Sequence, residues 1–216
     1  MYSPDSTSDV GHIVSAAIRS GMDAIAVTDH NTAKGAISAM KLADQRIAVI
    51  PGYELSTQEG HLLCLGIKED IPRGTPIAVA IERVTALGGV TIPSHPFRLG
   101  TGVGTSVLER LHPPCIETVN GRNHKSINAA AANFAEEHGM GGTGGSDAHT
   151  PDEVGRAYTE IDGGVLPVAD ILQALSAGRC TARGHGQSVP GSFKTQLKIF
   201  REYLGRKGKH ICIGRY

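Results

Sequence analysis

The chain has 216 residues, 40% of them hydrophobic, and 28 glycines, a composition that fits one globular domain rich in tight turns and excludes a disordered chain. Its 21 basic side chains balance 21 acidic ones, which argues against a globally basic nucleic-acid binder, though not against a local patch. No apolar run approaches a membrane span, Met1 to Ser6 carry no signal-peptide pattern, and Cys64, Cys115, Cys180 and Cys212 form no C-x-x-C, so the chain reads as cytoplasmic with reduced thiols.

Ser8 is placed to cap a first helix, whose stripe Val10, Ile13, Val14, Ala17 and Ile18 has helical spacing and which Gly21 ends. Asp23 to Val27 reads as a buried parallel strand that delivers Thr28-Asp29-His30-Asn31 at its carboxyl end. A helix over Ala33 to Ala43 leads to a strand over Ile47 to Ile50, then to Tyr53 to Ser56, which carries Glu54. His61 opens the apolar run Gly60 to Gly66. After a loop over Pro72 to Pro76, Ile77 to Leu87 is predicted helical, and Val90 to Ile92 is a strand ending in Pro93-Ser94-His95-Pro96. A loop over Gly100 to Gly104 and a short helix to Leu111 precede the strand Cys115 to Val119, which ends at Asn120-Gly121-Arg122. An Ala-rich helix, Ser126 to His138, is followed by a glycine run that leads into Gly145-Ser146-Asp147-Ala148-His149. A strand over Ala157 to Ile161, a helix over Val168 to Ala177 closed by Gly178, and a last helix over Phe193 to Leu204 complete the chain. No repeat or linker divides it, so residues 1–216 read as a single domain. Within it, 191–216 form a basic amphipathic helix and tail, with seven Lys or Arg against Glu202 alone. That helix is expected to lay its Phe and Leu stripe on the domain and its basic face in solvent, the rival being an anion or nucleic-acid patch.

Strand, polar residue and helix alternate six or seven times, which predicts a parallel α/β architecture with function at the carboxyl ends of the strands. Those ends carry His30, Glu54, His95, Asn120, and Asp147 with His149. A barrel would gather them into one ring where an open sheet would string them along a line. Taken singly, each has an ordinary structural explanation: a structural histidine, a core histidine for His61, a turn or cap for Asp147. A carboxylate on an apolar strand, as Glu54 is, is costly unless paired or on a metal. Arg98 and Arg122 lie beyond strand ends, where their planar forks suit phosphate, a surface ion pair being the equal alternative. Glu117 and Asn120 are candidates to support the site or touch substrate. The other six histidines, His12, His112, His124, His138, His185 and His210, match no motif and read as surface or structural.

With these residues in hand the chain resembles the polymerase and histidinol phosphatase (PHP) family over roughly residues 1 to 185. Thr28-Asp29-His30-Asn31, Gly52-Tyr53-Glu54-Leu55-Ser56, Gly60-His61, Ser94-His95-Pro96 and Gly145-Ser146-Asp147-Ala148-His149 carry the resemblance, in the family's order. It implies a distorted (β/α)7 barrel holding two or three divalent ions (Zn, Mn or Fe) and hydrolysing a small phosphomonoester, a nucleotide or a histidinol-phosphate-like compound. The implied ligands are Asp5, His30, Glu54, His61, His95, Asp147 and His149, with Glu54 bridging two ions and Asp29 orienting His30 or its loop. No protein nucleophile is implied, because a metal-bound hydroxide would attack phosphorus. Asp5, within Ser3-Pro4-Asp5-Ser6, also fits an ordinary Pro-Asp turn. The family's first motif, a His-x-His pair on the first strand, should lie just before the equivalent of Asp5, and the sequence as written starts after it. The intact remainder of the site favours a start placed too late, at an internal Met, over loss of that strand and its ligands. The rival reading is a catalytically impaired PHP remnant or metal- or phosphate-binding module; an accessory to a DNA polymerase is a third. The expected partner is a small phosphorylated substrate, and no membrane is implied.

Overall fold

The computed structural model describes residues 9–187. Asp5, Ser8 and the helix expected over 193–204 lie outside them. Helix α1 (Val10–Arg19) takes its cap from Asp9, whose carboxylate accepts the Gly11 N–H at 2.8 Å. The cap thus falls one residue after Ser8. Gly21, at φ 72°, ends the helix in the left-handed conformation that glycine adopts without steric cost. Strand β1 (Ala24–Ala26) pairs in parallel with β2 (Ala48–Ile50), and α2 (Lys34–Leu42) joins them.

Next comes an antiparallel sheet in place of the parallel one expected. Strand β3 (Gly52–Ser56) pairs with β4 (His61–Leu65), and β4 with β5 (Val90–Pro93), both antiparallel. The link from β3 to β4 is short enough for a hairpin, whereas a parallel pair needs a crossover of a dozen or more residues. Period-two alternation sorts the side chains of this sheet. Tyr53, Leu55, Leu62 and Cys64 are fully buried in a cluster with α3 (Ile77–Ala86), α4 (Thr105–Leu111) and α5 (Lys125–Glu137). Glu54, Leu63 and Leu65 face the other way, into a cavity of about 560 Å³.

Strand β6 (Cys115–Asn120) runs parallel to β7 (Gly141–Gly145), with a register shift between Glu117 and Val119. The glycine run expected as a lead-in is therefore itself a strand. A Cβ on Gly144 would collide with the Tyr158 carbonyl oxygen, so close approach of neighbouring backbone requires glycine at that position. Strand β8 (Ala157–Glu160) pairs with β9 (Thr181–Gly184), a strand the sequence pattern does not reveal, after α6 (Val168–Ser176). Helix α6 packs Ile171 and Leu175 on Ile50, Leu65, Ile92 and Cys115, while α1 and α2 bury Val10, Val14, Ala17 and Ala39 against Ile47 and Val49.

The fold is thus mixed α/β. Among the described residues the strands do not close into a barrel: β1 pairs with β2 alone. Residues of β1, β7 and β8 all line the cavity. β1 is half-buried, where the sequence reads as a buried strand. No helix among the described residues is long and apolar enough to cross a membrane.

Candidate metal centre

The chain leaving β1 stays extended through His30 and zips onto β3. Glu54 N–H donates to the Asp29 carbonyl at 3.1 Å, and Asn31 N–H to the Glu54 carbonyl at 2.9 Å. Asn31 sits at φ 59°, and its side-chain oxygen accepts the Ser56 N–H at 2.8 Å. Asn tolerates this conformation because its short amide can bond locally. Asn31 thereby anchors the His30 loop to the strand that carries Glu54, a part sequence reasoning left unassigned.

Glu54 is 8% exposed and is met by three imidazoles. His61 Nδ1 lies 3.2 Å and His95 Nε2 3.0 Å from Oε1, and His30 Nδ1 lies 3.4 Å from Oε2. Ligand atoms of His30, Glu54 and His61 all fall within 4.8 Å of one another. Burial pushes the Glu54 carboxyl up, but hydrogen bonds from His61 and His95 and the charges of His95 and His30 outweigh it and hold the group well below its ordinary range. His95, at φ 31° and 2% exposed, keeps Nδ1 buried without a hydrogen-bond partner among the described residues.

Asp147 and His149 form a second group on the wall of the same cavity. Asp147, at φ 50°, accepts Arg98 Nη2 at 2.9 Å and Asn120 Nδ2 at 3.3 Å, both on Oδ2. Its Oδ1 lies 3.7 Å from His149 Nδ1, which is 2.9 Å from the Asp147 carbonyl. Arg98 is gripped further by Asn123 Oδ1 at 2.8 Å and Asn120 Oδ1 at 2.7 Å. Arg122 meets this network through its backbone N–H, 2.9 Å from Asn120 Oδ1. Glu153 accepts the His149 N–H at 2.8 Å and so fixes the loop. Its trace in the sequence is the Thr150-x-x-Glu153 capping-box spacing, whereas Asn123 leaves none.

Glu117 lies behind both groups. Its Oε2 accepts the His95 N–H at 2.6 Å and Asn120 Nδ2 at 3.0 Å, with Ser94 Oγ at 3.4 Å. Burial pushes its carboxyl up to about 7; the His95 charge opposes this, the Asp147 charge adds to it, and the bonds from Asn120 and His95 N–H oppose it.

The structure thus gathers His30, Glu54, His61 and His95 in one cluster, and Asp147, His149 and Arg98 beside it. Several imidazoles around a buried carboxylate, with no thiolate, fit a hard or borderline divalent cation.

A family model described as the PHP domain matches residues 1–99, and one described as PHP-associated matches residues 125–180. The chain thus carries a PHP domain followed by a PHP-associated segment. An uncharacterized protein of Methanocaldococcus jannaschii is 36% identical over 95 residues, 44% of this chain and 56% of that protein. The chain spans just over half the length of the curated relatives it matches, 56% in each case. PsfC from Pseudomonas syringae superposes with a TM-score of 0.69 at 19% identity, covering 93% of both chains. A Bacteroides vulgatus two-domain protein containing a predicted PHP-like metal-dependent phosphoesterase gives 0.65 at 19% identity, covering 94% of this chain and 67% of that one. At such identity these two likenesses are of fold alone.

Proposed function

We propose that this PHP-domain chain is a metal-dependent phosphoesterase acting on a small phosphomonoester, a nucleotide or a histidinol-phosphate-like compound. The observation that carries the reading is the convergence of His30, His61 and His95 on the buried Glu54 carboxylate. His30, Glu54, His61 and His95 would hold one part of a centre of two or three Zn, Mn or Fe ions, and Asp147 and His149 another part. Ions there would supply Lewis acidity and lower the pKa of bound water. The remaining tasks fall to side chains. Asp147 commits Oδ2 to Arg98 and Asn120, which leaves Oδ1 for a cation. Arg98 spends Nε and Nη2 on Asn123, Asn120 and Asp147, so Nη1 is the nitrogen it would offer to a non-bridging phosphate oxygen. The PHP-like fold neighbours support a distorted (β/α)7 barrel as the parent architecture. Free Cys64, Cys115 and Cys180 support a reducing, cytoplasmic setting.

The test is hydrolysis of p-nitrophenyl phosphate, then of phosphomonoesters and 3′,5′-bisphosphates, by the full chain stripped with chelator and reloaded with Mn or Zn. Metal-stimulated turnover that falls at least about tenfold in Glu54→Gln and His149→Ala is expected. Turnover unchanged by His149→Ala would refute the site. Divalent-ion binding without turnover would favour the binding-module reading.

A further inference from the structure

We propose that Glu117 is a positioning residue that couples the Glu54–His95 half of the centre to the Asp147–Arg98 half. The inference rests on the metal reading of those two groups. Glu117 and Asn120 are three residues apart, so a regular strand would point them to opposite faces. The register of β6 against β7 steps from Glu117–Thr143 directly to Val119–Gly144, leaving Thr118 as the extra residue of a bulge. Bulges re-aim side chains beside functional sites. Here the bulge turns both polar groups into one network, with Asn120 Nδ2 3.0 Å from Glu117 Oε2.

One oxygen then serves both halves. Glu117 Oε2 takes the His95 N–H at 2.6 Å, which holds His95 in its left-handed backbone conformation and its ring on Glu54. The same oxygen takes Asn120 Nδ2, which also reaches Asp147 Oδ2 at 3.3 Å, while Asn120 Oδ1 holds Arg98. A carboxylate is not required for this role. A glutamine oxygen in the place of Oε2 can accept the same donors, while its NH2 replaces Oε1. Alanine leaves the His95 N–H buried without an acceptor and the Asn120 amide with only its longer bond to Asp147.

Cobalt(II) titration of the full chain, followed by its visible absorption band, tests the proposal in parent, Glu117→Gln and Glu117→Ala, with thermal unfolding as the check on folding. Glu117→Gln is expected to keep the parent band and affinity, and Glu117→Ala to lose at least about tenfold in affinity with an altered band. Should Glu117→Ala not fold, Glu117→Asp, one methylene too short to span His95 and Asn120, is expected to show the same loss. An alanine or aspartate variant that binds like the parent would overturn the proposal. So would a glutamine variant as weak as alanine, since the charge rather than the hydrogen bonds would then matter. If the parent takes up no cobalt, the metal reading fails by itself, and amide resonances of the metal-free chain decide the coupling. Glu117→Ala, or Glu117→Asp in its place, should move both His95 and Asp147 N–H signals and Glu117→Gln should largely spare Asp147, whereas movement of His95 alone would overturn it.

Discussion

Gly145→Ala isolates the packing that Glu117 imposes on the centre. Gly145 is not among the positive-φ glycines, so alanine can adopt its backbone and by conformational entropy alone would gain about 0.5–1 kcal/mol. Its Cβ, however, would stand 2.6 Å from Glu117 Oε1, about 1 Å inside ordinary van der Waals contact. The carboxylate cannot simply retreat, because Oε2 is held by His95 N–H and Asn120 Nδ2. Overpacking of this kind costs about 1–3 kcal/mol. Breaking one of those buried bonds costs about 1–3 kcal/mol more. A net destabilisation of about 3 kcal/mol is expected, read by urea unfolding of the metal-free chain. The double variant with Glu117→Ala removes the obstructing atom, so its loss should fall short of the sum of the single losses by about 1–3 kcal/mol. A Gly145→Ala chain as stable as the parent, or strictly additive losses, would refute the close contact.

Three further outcomes follow from the geometry. Glu54→Gln leaves three imidazoles around a neutral amide, so zinc retained after dialysis should drop, with affinity down at least about tenfold; undiminished retention would exclude Glu54 as a ligand. Glu117 has a folded pKa raised from 4.5 to about 7, so folding favours its protonated form. That contribution is complete below about 4.5 and lost as pH rises through about 7, a change on the order of 3 kcal/mol. Urea unfolding of the metal-free chain at pH 4.5, 6 and 8 should show this fall, and Glu117→Gln should flatten it; parallel profiles would contradict the burial. Asp9→Ala removes the acceptor of the Gly11 N–H and should cost about 1 kcal/mol in thermal unfolding, with Asp9→Ser retaining most of the stability.

Most elements and the clustered residues were legible because they rest on local chemistry. Helical spacing located α1, alanine-rich composition α5, and short apolar runs β1, β2, β4 and β6, each within a residue or two. What escaped depends on neighbours. The strand at Gly141–Gly145 has no apolar period to announce it, since its residues are chosen by what presses on them: the Tyr158 carbonyl at Gly144 and the Glu117 carboxylate at Gly145. The bulge at Thr118 escaped for the same reason, because it exists only in the register of β6 against β7. A strict alternation would have allowed Glu117 or Asn120 into the site, not both.

Strand direction explains why a rule framed for parallel sheets still found the right residues. β1, β3 and β5 deliver His30, Glu54 and His95 at or near their carboxyl ends, as that rule requires. His61 is different, since it stands at the amino end of β4. In an all-parallel sheet it would lie at the far rim, a strand's length from Glu54. Because β4 runs antiparallel, Ser56 pairs with His61 and Glu54 with Leu63, so the start of β4 meets the end of β3. The β3–β4 hairpin therefore brings a second imidazole to Glu54 within a few residues of chain. The return of β5 against β4, pairing Leu62 with Pro93, sets His95 on the same rim. Two reversals in succession restore the direction that β1 began with. The antiparallel sheet that departs from the expected architecture is thus what places His61 and His95 beside the carboxylate that His30 reaches from β1.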